Sequence, residues 1–150
     1  MDPGAPDSGR IPPWQSVASP AAIDEAYRAL FNGGHRRRYA RDQIVIEAGA
    51  KPESLYLILS GNVSVETTDA EGTELLLAYM FPRDFFGEMG LLPGVDGRSA
   101  RIRARSDCLL LEVAYRTFME LSRQHPALWL ELCGQLATPL RAVNSRHPAM

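Results

Sequence analysis

The stretch Leu55-Tyr56-Leu57-Ile58-Leu59, followed by Ser60-Gly61-Asn62 and then Val63-Ser64-Val65-Glu66, decides the fold class. Two runs of strand length meet across a turn whose glycine permits a tight reversal, which reads as a β-hairpin. Working outward, the period of two holds from Arg38 to Val113. Upstream it gives Gln43-Ile44-Val45-Ile46, and downstream Glu74-Leu75-Leu76-Leu77-Ala78-Tyr79, with glycine-bearing turns at Ala48-Gly49-Ala50 and Asp69-Ala70-Glu71-Gly72. Between Ala100 and Ser106, Ala100, Ile102 and Ala104 alternate with Arg101, Arg103 and Arg105, and the apolar run Cys108 to Val113 follows. Many short strands at this spacing predict a mainly β sandwich or barrel.

Helical periodicity flanks this β region. Pro20 to Asn32 sets Ile23, Ala26, Tyr27, Leu30 and Phe31 on one face, and Asn32-Gly33-Gly34 stops the pattern with residues that tolerate left-handed geometry. After Val113, Tyr115, Phe118 and Leu121 predict a short helix. A longer one starts at Pro126 and carries Leu128, Leu132, Leu136 and Leu140, with Pro139 expected to kink or weaken it. Residues 1–20 hold five of the eleven prolines and read as a flexible leader, leaving 21–150 as the domain.

Composition narrows the function classes. At 150 residues one core suffices without disulfides, and Cys108 and Cys133 sit in apolar stretches where a free thiol is usually a small core residue. Reduced thiols, no basic-then-apolar signal pattern and no apolar run near twenty residues imply a cytoplasmic protein with no membrane partner. A net charge of −2 gives no global attraction to nucleic acid, and the clusters Arg36-Arg37-Arg38 and Arg101/Arg103/Arg105 read as solvated faces.

One segment carries features that packing does not require: Phe85-Phe86-Gly87-Glu88-Met89-Gly90-Leu91-Leu92, then Gly97-Arg98-Ser99-Ala100. Glycine permits positive φ and close backbone approach, so amides at the start of a short turn from Gly87 can converge on an anion. Arg98 offers a permanently charged fork for phosphate oxygens, and Ser99 a hydroxyl or amide. Glu88 repels phosphate but suits a sugar hydroxyl. Taken singly, a Glu88–Arg98 ion pair or a glycine-shaped turn is the simpler account; the order and spacing of all four favour binding.

F-G-E-M-G-L-L, a loop, then R-S-A resembles the phosphate-binding cassette of the cyclic nucleotide-binding domains, closest to bacterial catabolite activator-type regulators. The resemblance runs from about His35 to about Gln135, including Gly49, Gly61 and the E-G-T-E hairpin at Glu71 to Glu74. It implies a double-stranded β-helix, or jelly roll, with a short N-terminal and a long C-terminal helix. It further implies that Phe86, Gly87, Glu88, Met89, Arg98, Ser99 and Ala100 form the ligand site, Glu88 meeting the ribose 2′-hydroxyl and Arg98 with Ser99 the cyclic phosphate. Val65, Leu77, Met80 and Met89 match apolar pocket positions, where ordinary core packing is the competing account.

The base is read elsewhere. The resemblance places Val143 and Asn144 on the C-terminal helix where relatives contact adenine; Val143 has no hydrogen-bonding side chain, while Asn144 can donate and accept. Together with Ser99, which could reach a guanine amino group, this tips the expectation from cyclic AMP toward cyclic GMP. The same helix implies a homodimer seam along Leu128, Trp129, Leu132, Leu136 and Leu140. No residues remain for a helix-turn-helix, so the chain is expected not to bind DNA itself and to be a sensor fragment that regulates an attached or partner output domain. No catalytic residue, metal or cofactor is expected. The rivals are a cupin-like metal-dependent enzyme, opposed by the scattered His35, His125 and His147 outside the predicted strands, and a degenerate dimerisation module without ligand. Hydrolase chemistry at Ser99 lacks a nearby histidine and a G-x-S-x-G motif.

Overall fold

Helix α1, Pro20–Gly33, begins where the Ser19 hydroxyl accepts the Ala22 amide proton at 3.2 Å and Pro20 fills the first turn, where a missing donor costs nothing. It belongs to a computed structural model that describes residues 16–91, 100–137 and 141–142. Most of the expected leader, residues 1–15, lies outside the described residues. The helix buries Ala26, Tyr27 and Leu30 and closes with the Gly34 amide donating to the Leu30 carbonyl at 2.9 Å. Left-handed geometry is not why glycine stands there, since Gly34 has φ −102°. A Cβ at Gly34 would lie 2.9 Å from the Leu111 side chain, so close approach of the helix end to the sheet excludes a larger residue.

Nine antiparallel strands follow among the described residues: β1 His35–Tyr39, β2 Ile44–Ile46, β3 Ser54–Ser60, β4 Val63–Thr68, β5 Glu74–Met80, β6 Phe85–Phe86, β7 Arg101–Ala104, β8 Cys108–Ala114 and β9 Arg141–Ala142. They form a four-stranded sheet, β1-β8-β3-β6, and a five-stranded sheet, β2-β7-β4-β5-β9, the two layers of a jelly roll. His35 opens β1, contrary to the expectation that the histidines avoid the strands; β1 is an edge strand with four of five residues exposed, so it shows no apolar alternation to read.

Burial explains the two kinds of strand. Tyr56, Ile58, Val63, Met80, Phe86, Ile102, Ala104 and Leu110 fill the space between the sheets. Leu55, Leu57, Phe85, Leu111 and Val113 face the other way, into a second cluster with Tyr27, Leu30, Phe118, Leu128 and Leu132 of the helices. Strands β3 and β8 are therefore covered on both faces and read as continuous apolar runs, whereas β7 alternates Ile102 and Ala104 inward with Arg101 and Arg103 outward.

Helix α2, Tyr115–Gln124, and helix α3, Ala127–Ala137, cover the first sheet. The C-terminal helix is shorter than expected. It ends at Ala137, and Arg141–Ala142 form β9, pairing Ala78 with Ala142 and Tyr79 with Arg141. Pro139 falls in the sequence between α3 and β9, and a proline lacks the amide donor that a continuing helix needs. Leu140 lies outside the described residues. Leu128 and Leu132 are buried in the chain's own core and Trp129 packs edge-on to Phe118 at 5.1 Å, so these members of the expected dimer seam are engaged within the fold. Cys108 is buried as expected, but Cys133 is exposed on α3.

Candidate functional site

The cassette starts from a firmly held strand. β6 pairs Phe85 with Leu57 and Phe86 with Tyr56. Successive strand residues face opposite sides, so Phe85 enters the helical cluster beside Tyr27, with ring centroids 6.3 Å apart, and Phe86 enters the space between the sheets, stacked on Tyr56 at 5.0 Å. The next residue, Gly87, has φ +83°, the left-handed region that glycine occupies without steric cost. A short 3-10 turn, Glu88–Leu91, follows, and Leu91 packs back onto the helical cluster. The turn foreseen over Gly87 to Leu92 is thus present as four residues.

Two side chains hold this segment from outside, and the sequence reading named neither for the role. The Tyr115 hydroxyl, at the start of α2, donates to the Gly87 carbonyl oxygen. From α3, the Gln135 carboxamide accepts from the Phe85 amide and donates to the Phe85 carbonyl, both at 2.6 Å. The available signal for Gln135 was a lone amide in the apolar run Leu132-Cys133-Gly134-Gln135-Leu136; for Tyr115 it was only the hydroxyl on a residue counted as apolar.

Of the expected site residues, Phe86 and Gly87 are buried, Glu88 is half-buried, and Met89 is 42% exposed on the turn. Ala100 is half-buried immediately before β7. Arg98, Ser99, Val143 and Asn144 lie outside the described residues. On the second sheet, Val65 is half-buried opposite Ala78 and Ile102, and Met80 is buried between the sheets. Leu77 is different: a bulge between the Val65–Ala78 and Glu66–Leu76 pairs leaves it as the extra residue, 44% exposed. Bulges re-aim side chains, and this one puts a leucine in solvent beside the β9 pairing of Ala78. Met80 and, in part, Val65 follow the core-packing account, while Leu77 and Met89 do not.

Three of the six arginines in the basic clusters are held in ion pairs. Arg101 bridges Glu47 at 3.1 Å and Glu74 at 3.0 Å, and Arg37 meets Glu112 at 3.0 Å. Arg103 holds Glu66 at 3.1 Å, and Ser64 completes a buried set on the outer face of the second sheet. Burial would raise the Glu112 carboxyl, but hydrogen bonds from Arg37, Ser54 and Tyr56 outweigh it and hold the group below the usual carboxylate range. An open cleft of about 380 Å³ lies elsewhere, between α1 and β3, and includes none of the expected site residues. Among the described residues no group of three His, Cys, Asp or Glu side chains is placed to hold a metal ion, and no helix is long and apolar enough to cross a membrane.

Comparison with known proteins identifies the family. The model of the cyclic nucleotide-binding domain family matches residues 36–125. The chain is 36% identical over 120 residues to the cAMP-activated global transcriptional regulator CRP of Pasteurella multocida, covering 80% of this chain and 57% of that protein. It thus spans little more than half the length of that relative. Among solved structures, the c-di-GMP-responsive global regulator CLP of Xanthomonas campestris superposes with a TM-score of 0.70 at 29% identity, over 76% of this chain and 57% of that one. A structure from a cyclic-GMP-dependent signalling pathway that regulates bacterial phytopathogenesis superposes with a TM-score of 0.63 at 28% identity, over 75% and 88% of the two chains.

Proposed function

Because the chain belongs to the cyclic nucleotide-binding domain family, we propose that it senses a cyclic mononucleotide, with cyclic GMP favoured over cyclic AMP, and relays its presence to an output domain in bacterial signalling. The observation that carries this reading is the left-handed Gly87 directly before Glu88, inside the matched residues, with its carbonyl held by Tyr115 and the preceding Phe85 backbone held by Gln135. In the proposed complex the backbone after Gly87 and the Arg98 guanidinium meet the cyclic phosphate, with Ser99 beside them, and Glu88 accepts from the ribose 2′-hydroxyl. Leu77 and Met89 present apolar surface for a purine ring to cover. The base is read by Asn144 and Ser99. Ala142 pairs with Ala78, which supports an approach of the C-terminal residues to β5 from a strand rather than from a continuous helix.

Two copies are proposed to meet along α3. With Leu128 and Leu132 buried internally, the contact falls to the exposed Leu130 and Cys133, three residues apart on that helix.

Calorimetric titration with cyclic AMP, cyclic GMP and cyclic di-GMP tests the central reading, repeated on Arg98→Ala and Glu88→Ala. Loss of a charged hydrogen bond at Arg98 should cost at least ~1.5 kcal/mol of binding free energy. Unchanged affinity in Arg98→Ala removes the proposed phosphate contact. Failure of all three nucleotides to bind the intact chain would leave a β-roll module without ligand.

A further inference from the structure

We infer that the cleft between α1 and β3 is a second ligand site, built for a small monoanionic carboxylate with an apolar body. Its volume of about 380 Å³ falls within the range of small-molecule pockets. The floor is apolar, from Leu57, Leu59 and Phe31, with the Tyr27 ring beside them; the rim carries the exposed Arg28, Arg83 and Asp24. Among the lining residues two guanidinium groups face one carboxylate, and the neighbouring Glu131 carboxylate accepts from the Tyr27 hydroxyl at 2.9 Å, so the excess of positive charge is at most one, which matches one carboxylate better than a doubly charged phosphate. No ion pair among the described residues engages Arg28 or Arg83.

Two backbone departures converge on this cleft. Arg83 has φ 76°, a conformation that costs an arginine energy, and it is held there by its amide donating to the Ile58 carbonyl at 2.9 Å and by the Asp84 amide donating to the Phe81 carbonyl at 2.9 Å. The result sets its guanidinium 4.9 Å from the centre of the Tyr27 ring, at the cleft wall. Directly across, the β3–β8 register shifts between Ile58 and Ser60, so Leu59 is the extra residue of a bulge that turns it into the cleft. Strained arginine and re-aimed leucine supply the charged and apolar halves of one amphipathic site.

The site lies between α1 and β3 and includes none of the residues assigned to the nucleotide. The probe is sodium hexanoate, added to the isotopically labelled chain while backbone amide resonances are followed, with hexylamine and hexan-1-ol as charge-reversed and neutral controls. Hexanoate should give saturable shifts at Leu57, Leu59 and Arg83 with a dissociation constant near 1 mM, as its size allows. Combined Arg28→Gln and Arg83→Asn substitution, the asparagine chosen because it tolerates positive φ, should weaken binding at least tenfold. Asp24→Asn, an exposed change that the fold tolerates, should strengthen binding about twofold by removing a like charge. Equal shifts from all three probes, the absence of saturation, shifts centred on Glu88 and β5, or an Asp24→Asn variant that binds no better would each overturn the assignment.

Discussion

Gln135 grips the backbone of Phe85 on both sides, its carboxamide oxygen accepting the Phe85 amide proton and its nitrogen donating to the Phe85 carbonyl, each at 2.6 Å. Among the described residues strand β6 has a sheet neighbour only at β3, so this side chain acts as a partner on its open edge. It also ties α3 to the peptide two residues before Gly87. If the chain works as proposed, a displacement of the helix would carry the cassette with it as one event.

Gln135→Ala should therefore cost about 2 kcal/mol in urea unfolding, since two partly buried backbone groups lose their partners together. The same variant should weaken nucleotide binding, because the cassette is no longer held in its binding geometry. Stability lost with affinity unchanged would make Gln135 a structural clamp without a part in sensing.

Gly87→Ala should destabilise the chain by about 1–2 kcal/mol through the left-handed backbone it imposes on alanine. Tyr115→Phe should cost about 1 kcal/mol through its lost bond to the Gly87 carbonyl. Both changes act on the same residue, so the double variant should cost measurably less or more than the sum of the two. Strict additivity in denaturant titrations would show that Tyr115 does not hold Gly87 in place.

The central strands and the turn that follows Gly87 were legible because their causes are local. Period-two patterns and turn glycines write the central strands directly, and Gly87-Glu88 stands out only through its order and spacing with Arg98 and Ser99. Gln135 and Tyr115 were not legible as latches, since each bonds to backbone atoms tens of residues away and any residue type could supply those atoms. Arg83 hid for a related reason: its positive φ is imposed by tertiary hydrogen bonds, and nothing about an arginine announces it. Pro139 reads as a kink or weak point in a helix continuing to Leu140, and Arg141–Ala142 are strand instead.

Glu66 should be more costly to remove than its place on a sheet's outer face implies. It is 7% exposed, paired with Arg103 and bonded by the Ser64 hydroxyl, and truncation strands a partly desolvated guanidinium. Glu66→Ala should lose about 2 kcal/mol, and Glu66→Gln, which keeps an acceptor, about half as much. Equal losses from the two variants in chemical denaturation would rule out the charged hydrogen bond as the cause.

Glu112 should impose an acid limit on stability. Its carboxylate accepts from Arg37 at 3.0 Å and from the Tyr56 hydroxyl at 3.1 Å, and its folded pKa lies below the ordinary 4.5. A depressed pKa means that the unfolded chain binds the proton first as pH falls, so the contribution is fully present above 4.5 and is lost as pH drops through the lower folded value. Tyr56 also stacks on Phe86, which places this titration next to β6. Glu112→Gln should be less stable than the parent at neutral pH, with a flatter decline on the acid side, so that the two urea midpoints converge below the ordinary carboxyl value. Parallel curves for parent and variant would assign the acid sensitivity to other carboxylates.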